Sequence, residues 1–325
     1  MRKTIYALVP VVALLVGASC SSNNDTSPAA ARGDGQVKVV WDDAGIHPEN
    51  RELAKQVKDS GVFERLAEQT NKTVALPHDL EIKVSDDGIP KEFDDPSTVE
   101  GGKTIYWPAA WFKTSHDALA EFVPEVIRDK GAPKAIGAQN FNADTLNVWA
   151  NQFILGHEMG HALIHQFPLP MTGLEEDSAD GYATYATIND KQTGPNAALG
   201  AAVLFDAFSS KKPNVSMEEF SSDHPVVQSR IYNFLCSVVG SDPKQLENSL
   251  VTDGYLPQTR APLCPKEWAQ LDYGWQKILQ PYTADGNKAE AEAALTQARK
   301  NLDTESAALA AKLKELRAQQ TQQQK

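Results

Sequence analysis

Residues 157 to 161 read His-Glu-Met-Gly-His, and this pentapeptide limits the chain's possible folds more than any other segment. On a helix, positions four apart share a face, so His157 and His161 can both present imidazole nitrogens to one metal ion. Glu158, one step round, then stands beside the ion's open coordination position as a general base. Two ligands do not complete a site. The fold has to bring a third protein donor against this helix and leave a fourth position for water.

The third donor is expected close by in sequence. The helix runs out at Phe167-Pro168-Leu169-Pro170, and a new helical start follows Gly173. A loop this short favours an antiparallel helix pair. The second helix opens Leu174-Glu175-Glu176-Asp177-Ser178-Ala179-Asp180. Glu176 and Asp180 share a face, with small Ala179 beside them, which suits Glu176 as third ligand. Asp180 would then accept the free ring N–H of a metal-bound histidine and fix its orientation. Glu175 is read as solvent-facing, with a ligand role as the alternative. The first-turn carboxylates could also simply complement the helix dipole. His165 continues the series but lies two turns from His157, too far for one coordination sphere, and is read as a helix-end residue.

Further along, Asp223-His224-Pro225 precedes Arg230-Ile231. His224 could donate a hydrogen bond to a developing oxyanion, and Arg230 could anchor a substrate carbonyl or an internal carboxylate. A helix cap explains His224 equally well. Tyr182 and Tyr185 are read as core.

The 325 residues, 41% hydrophobic and 23% charged, suit a soluble globular chain. A formal net charge of −12, with acidic residues spread along the chain, argues against nucleic acid and against electrostatic binding to anionic lipid. Residues 1–19 read as a signal peptide: Arg2 and Lys3, an apolar run from Ile5 to Val16, then Gly17-Ala18-Ser19 before Cys20. The run is too short for a membrane span. A Cys after small residues resembles a bacterial lipoprotein signal, lipidated on Cys20, although Gly17 stands where Leu or Val is usual; plain secretion is the alternative. Either places the mature chain outside the cytoplasm. There, Cys236 and Cys264 read most simply as a disulfide, with two buried thiols as the alternative.

Residues 20–36 read as a flexible tether. Strands are expected at Val37–Trp41, Leu80–Val84 and Lys103–Trp107, and helical patterning at 48–71, broken near Gly61. Later helices are expected near 117–129, 144–166, 174–190, 196–209, 225–239, 244–250 and 265–280. This order predicts an α+β fold in which a small antiparallel sheet packs on a mainly helical bundle carrying the metal site. The strand at Lys103–Trp107 is a candidate edge for an extended substrate. One domain over 37–285 is expected, then a long surface helix over 286–325 with a disordered Gln-rich end. Its Leu295, Leu302, Leu309 and Leu316 recur every seven residues, but Arg299 and Ser306 interrupt any coiled-coil seam.

With these residues in hand, the chain resembles a family of bacterial metallopeptidases with a G-H-E-x-G-H-A helix, a Pro-containing loop and an E-E-D-x-A-D helix. Gly156 to Ala162, Pro168 and Pro170, and Glu175 to Asp180 match those blocks. Asp223-His224-Pro225 with Gln228, Arg230 and Tyr232, followed by Cys236, matches its next block. A more distant similarity reaches the CAAX prenyl proteases and heat-shock membrane peptidases, through Glu176 to Asp180 and His224-Pro225 to Arg230-Ile231. That likeness implies Glu176 as ligand and His224 and Arg230 in the active site. The chain lacks those enzymes' transmembrane helices, which sets prenylated or intramembrane substrates apart.

The resemblance implies a zincin-like, zinc-dependent peptidase acting on a peptide or protein substrate, with Glu158 as base. A non-catalytic envelope protein that keeps the fold for binding or assembly is the rival reading, and a zinc-storage or sensing protein is a third.

Overall fold

In the computed structural model, residues 33–99, 101–167, 169–211, 215–222 and 224–323 are described. The expected signal peptide, the Cys20 lipidation site, most of the tether and Asp223 lie outside them. The chain begins with β1 (Val37–Trp41), α1 (Arg51–Ser60), α2 (Val62–Thr73), β2 (Leu80–Ser85), β3 (Ser97–Thr98) and β4 (Thr104–Pro108). Helices make up the rest of the named elements: α3 (Ala110–Lys130), α4 (Ala143–Gln166), α5 (Glu175–Ile188), α6 (Asn196–Ser210), α7 (Met217–Ser221) and α8 (Val227–Ser241). The last are α9 (Pro243–Leu250), α10 (Cys264–Leu279) and α11 (Lys288–Gln323). The fold is α+β. No helix among the described residues is long and apolar enough to cross a membrane.

The sheet runs in the order β1-β2-β4-β3. Its pairing corrects the expectation of an antiparallel sheet: β1 with β2 and β2 with β4 are parallel, and only two-residue β3 is antiparallel, to β4. The cause is the connection. α1 and α2 carry the chain back to the end at which β1 began, and such a crossover makes the next strand parallel. Parallel sheets are ordinarily covered on both faces, and this one departs from that. Here Leu80, Ile82, Val84, Ile105 and Trp107 are fully buried, while Glu81 is exposed and Lys83 and Tyr106 are half-buried, so the sheet is covered mainly on one face. β4 is also not an edge, since β3 closes it off at Ile105 and Tyr106.

The covered face rests on an aromatic cluster in which Phe63 meets Trp107 edge-on at 4.7 Å and Trp107 stacks on Phe112 at 5.8 Å. Gly61, with φ of 65°, makes the left-handed turn that separates α1 from α2.

Helix α4 is the axis of the molecule, packed among α3, α5, α6 and the β3–β4 end of the sheet. Its buried positions run all round it from Leu146 to Gln166, as befits a central helix. It starts at Asn142, whose side chain caps the Thr145 N–H at 2.9 Å. It stops at Phe167, extended at φ −114° and ψ 141°, the backbone region favoured immediately before a proline. Cys236 and Cys264 are joined by a disulfide, tying α8 to the start of α10. Helix α11 continues into the Gln-rich end as far as Gln323.

Candidate metal centre

The site forms where α4 and α5 touch most closely, and small residues make that contact possible. A Cβ on Gly160 would stand 2.9 Å from the Ala179 Cα, and one on Gly156 would stand 3.1 Å from the Ala183 Cα. With hydrogens facing alanines, the first turn of α5 lies directly against the histidine face of α4. Glu175, Glu176 and Asp177 occupy that turn, where the helix dipole favours carboxylates.

His157 Nε2 and His161 Nε2 face each other at 3.1 Å. Glu176 closes the triangle, with Oε2 at 3.2 Å from His157 Nε2 and Oε1 at 3.4 Å from His161 Nε2. These three side chains form a group able to hold a metal ion. The opposite ring nitrogens are engaged by carboxylates: Asp180 Oδ1 lies 2.9 Å from His157 Nδ1, and Glu175 Oε1 lies 2.8 Å from His161 Nδ1. A carboxylate acceptor requires N–H at each Nδ1, so that in the neutral imidazole it is Nε2, facing Glu176, that carries the lone pair. Glu176 Oε2 is itself buried without a hydrogen-bond donor in proper geometry. Once both imidazoles are neutral, two Nε2 lone pairs and the Glu176 carboxylate converge on one point, so the donor set fits a bound metal ion.

Electrostatics follow the same geometry. Burial alone would lower His157, but the Asp180 and Glu176 carboxylates outweigh it and raise its pKa to about 9. His161 is raised in the same way, against burial, by Glu176 and Glu175. Burial would raise Glu176, yet the imidazoles of His157, His161 and His224 hold it well below the usual carboxylate range. Asp180 is likewise depressed against burial by His157 and Arg230.

Glu158 is 7% exposed, and burial raises its pKa against the pull of His157, His161 and Thr98. The Thr98 hydroxyl lies 2.8 Å from Glu158 Oε2 and 2.8 Å from the Glu158 carbonyl oxygen. Sequence reasoning missed Thr98, because a two-residue strand carries no readable periodicity.

His224 brings Nε2 to 3.0 Å from Glu176 Oε2, with its side chain 52% exposed at the rim of the site. Arg230 does not stand beside the metal-facing atoms. Its Nε and Nη2 donate to Asp180 Oδ2 and Oδ1 at 2.7 and 2.8 Å, and its guanidinium stacks on Phe205 at 4.6 Å. Of the two roles open in the sequence, it takes the internal carboxylate, and acts on the site through Asp180 and His157. The Glu175 side chain is 40% exposed, yet one of its oxygens faces inward: Oε1 meets both His161 Nδ1 and His165 Nε2, each at 2.8 Å. Tyr182 is buried against Trp275.

Among curated proteins and solved structures, none matches the chain. The family model DUF4344, described as "Putative metallopeptidase", matches residues 43–279, from the loop after β1 to the end of α10, and so includes every residue of the metal centre. Three converging donors on α4 and α5 and a match across most of the chain lead to one conclusion: this protein belongs to the DUF4344 metallopeptidase family.

Proposed function

We propose that the protein is a zinc-dependent peptidase with a zincin-like site, hydrolysing peptide bonds outside the cytoplasm. The observation that carries the reading is the donor triangle of 3.1, 3.2 and 3.4 Å. Ligands placed tetrahedrally about 2 Å from a zinc ion stand roughly 3.3 Å apart, and the two-histidine, one-glutamate set is that of catalytic zinc sites. His157, His161 and Glu176 would hold the ion. When bound, it supplies Lewis acidity, which acidifies water toward neutrality and polarises a carbonyl.

The chain's own groups do the rest. Glu158 takes the proton of the attacking water and delivers it to the departing amine. Thr98 steadies this base from β3. Its single hydroxyl proton can go to Oε2 or to the Glu158 carbonyl throughout. Because Thr98 meets Oε2, the other carboxylate oxygen is left to take the water's proton and pass it to the amine. His224, at the open rim, is placed to donate to the developing oxyanion. Arg230 holds Asp180, and Asp180 holds the His157 ring in the tautomer that leaves Nε2 free for metal.

The location outside the cytoplasm is supported by the signal-type pattern before Cys20 and by a disulfide between two buried cysteines. Lipid attachment at Cys20 belongs to the same reading. Incubating the zinc-loaded protein with a random peptide library and sequencing new termini by mass spectrometry tests it. Enriched cleavage sites that vanish on chelation are expected; no cleavage at full zinc occupancy would favour the non-catalytic binding protein.

A further inference from the structure

The histidine series on α4 does not end at the metal centre. His157 and His161 form one pair four residues apart, and His161 and His165 form another, one turn further on. The first turn of α5 supplies a carboxylate to each pair: Glu176 to the first, Glu175 to the second. We propose that His165 Nε2, the Glu175 carboxylate and His161 Nδ1 form a second divalent-metal site, joined to the first through the ring of His161.

His161, His165 and Glu175 each offer a ligand atom within 4.8 Å of the others, as the three residues of the first site do. The geometry centres on one oxygen: Glu175 Oε1 stands 2.8 Å from a nitrogen on each of two successive helical turns. A nitrogen, nitrogen, carboxylate set selects borderline divalent ions such as zinc, copper or nickel over magnesium and calcium. His161 serves both sites with different atoms, Nε2 toward Glu176 and Nδ1 toward Glu175. An ion entering the second site takes the place of the Nδ1 proton, which leaves to solvent, and His161 then bridges the two ions as imidazolate.

The two sites differ in access. Side chains of His157 and Glu176 are 9% and 13% exposed, whereas those of His165 and Glu175 are 30% and 40% exposed. The second site therefore keeps more water around its ion, binds more weakly and exchanges faster. It faces solvent at the end of α4, beside the Phe167–Leu174 connection. This inference uses the geometry of the first site but not its peptidase activity.

Zinc titration of the metal-free protein, followed by calorimetry and native mass spectrometry, tests it directly. Two equivalents are expected, one tight and one weaker. His165→Ala and His165→Phe should each lose the weaker equivalent and keep the tight one. The double variant His157→Ala, Glu176→Gln should do the reverse. A single, tight equivalent in the wild type, or a weaker equivalent that survives both His165 substitutions, overturns the second site and leaves Glu175 as a hydrogen-bond acceptor only. A wild type that lacks the tight equivalent but keeps the weaker one counts against the first site instead.

Discussion

On the proposed reading Glu158 serves as base only while its carboxylate stays aimed at the water, and Thr98, 2.8 Å from Oε2, is the residue that would hold it there. A hydrogen bond to a charged group contributes about 1.5–3 kcal/mol. Thr98→Val is therefore expected to lower kcat by about tenfold to a hundredfold with KM little changed, and Thr98→Ser to restore most of it. Steady-state kinetics on one cleaved peptide checks this; a change confined to KM would make Thr98 a substrate contact instead. Local spacing made most of the centre readable: His157, His161, Glu176 and Asp180 each follow from a four-residue repeat or a short loop. What stayed hidden depends on distance along the chain. Thr98 lies sixty residues before its partner, and Arg230 fifty residues beyond Asp180. The contacts of Glu175 were hidden too, because the first turn of α5 overlaps two turns of α4, so adjacent carboxylates both find imidazoles.

The α4–α5 contact holds the donors together, and it depends on what glycine lacks. Gly160 sits inside the metal-binding pentapeptide, yet its contribution is to packing: a Cβ there would meet the Ala179 backbone at 2.9 Å and the Tyr182 Cβ at 3.2 Å. Overpacking of this kind costs about 1–3 kcal/mol, and it would push α5 outward with Glu176 on it. Gly160→Val is expected to lower thermal stability and to weaken zinc binding together, whereas Gly173→Ala, with open space around it, should change neither. Paired melting curves and zinc titrations decide the matter. Helices were the readable elements, since α4, α5, α6 and α8 each carry the 3.6-residue pattern between capping or proline signals. The sheet was less readable because one-faced burial imposes the same alternation on parallel and antiparallel strands, and only the α1–α2 crossover separates the two.

Among the described residues, the buried histidine and acidic side chains His157, Glu158 and Asp180 gather at one centre, so stability should depend on metal and pH together. His157 is raised to about 9 by Asp180 and Glu176. In the metal-free protein this contribution is fully present below about pH 6.5, the ordinary histidine value, and is lost as pH rises through 9. Glu176 and Asp180, both depressed, act oppositely: their contribution is present above the ordinary carboxylate range and is lost as pH falls below it. Melting curves in chelator should therefore fall from pH 6.5 to 9.5, and His157→Gln should flatten that fall. Zinc reverses the dependence, because it binds neutral imidazole and its affinity rises as protons leave. A metal-free protein whose stability is level across this range would show that the carboxylates do not hold the His157 proton. The central claim, that this centre cleaves peptides through Glu158, is tested most directly by turnover of one peptide by wild type and Glu158→Gln, each loaded with the same tightly bound zinc. Cleavage by the wild type and a loss of about 10²- to 10⁴-fold in the variant at unchanged zinc content are expected. Equal turnover by the two proteins would contradict the claim.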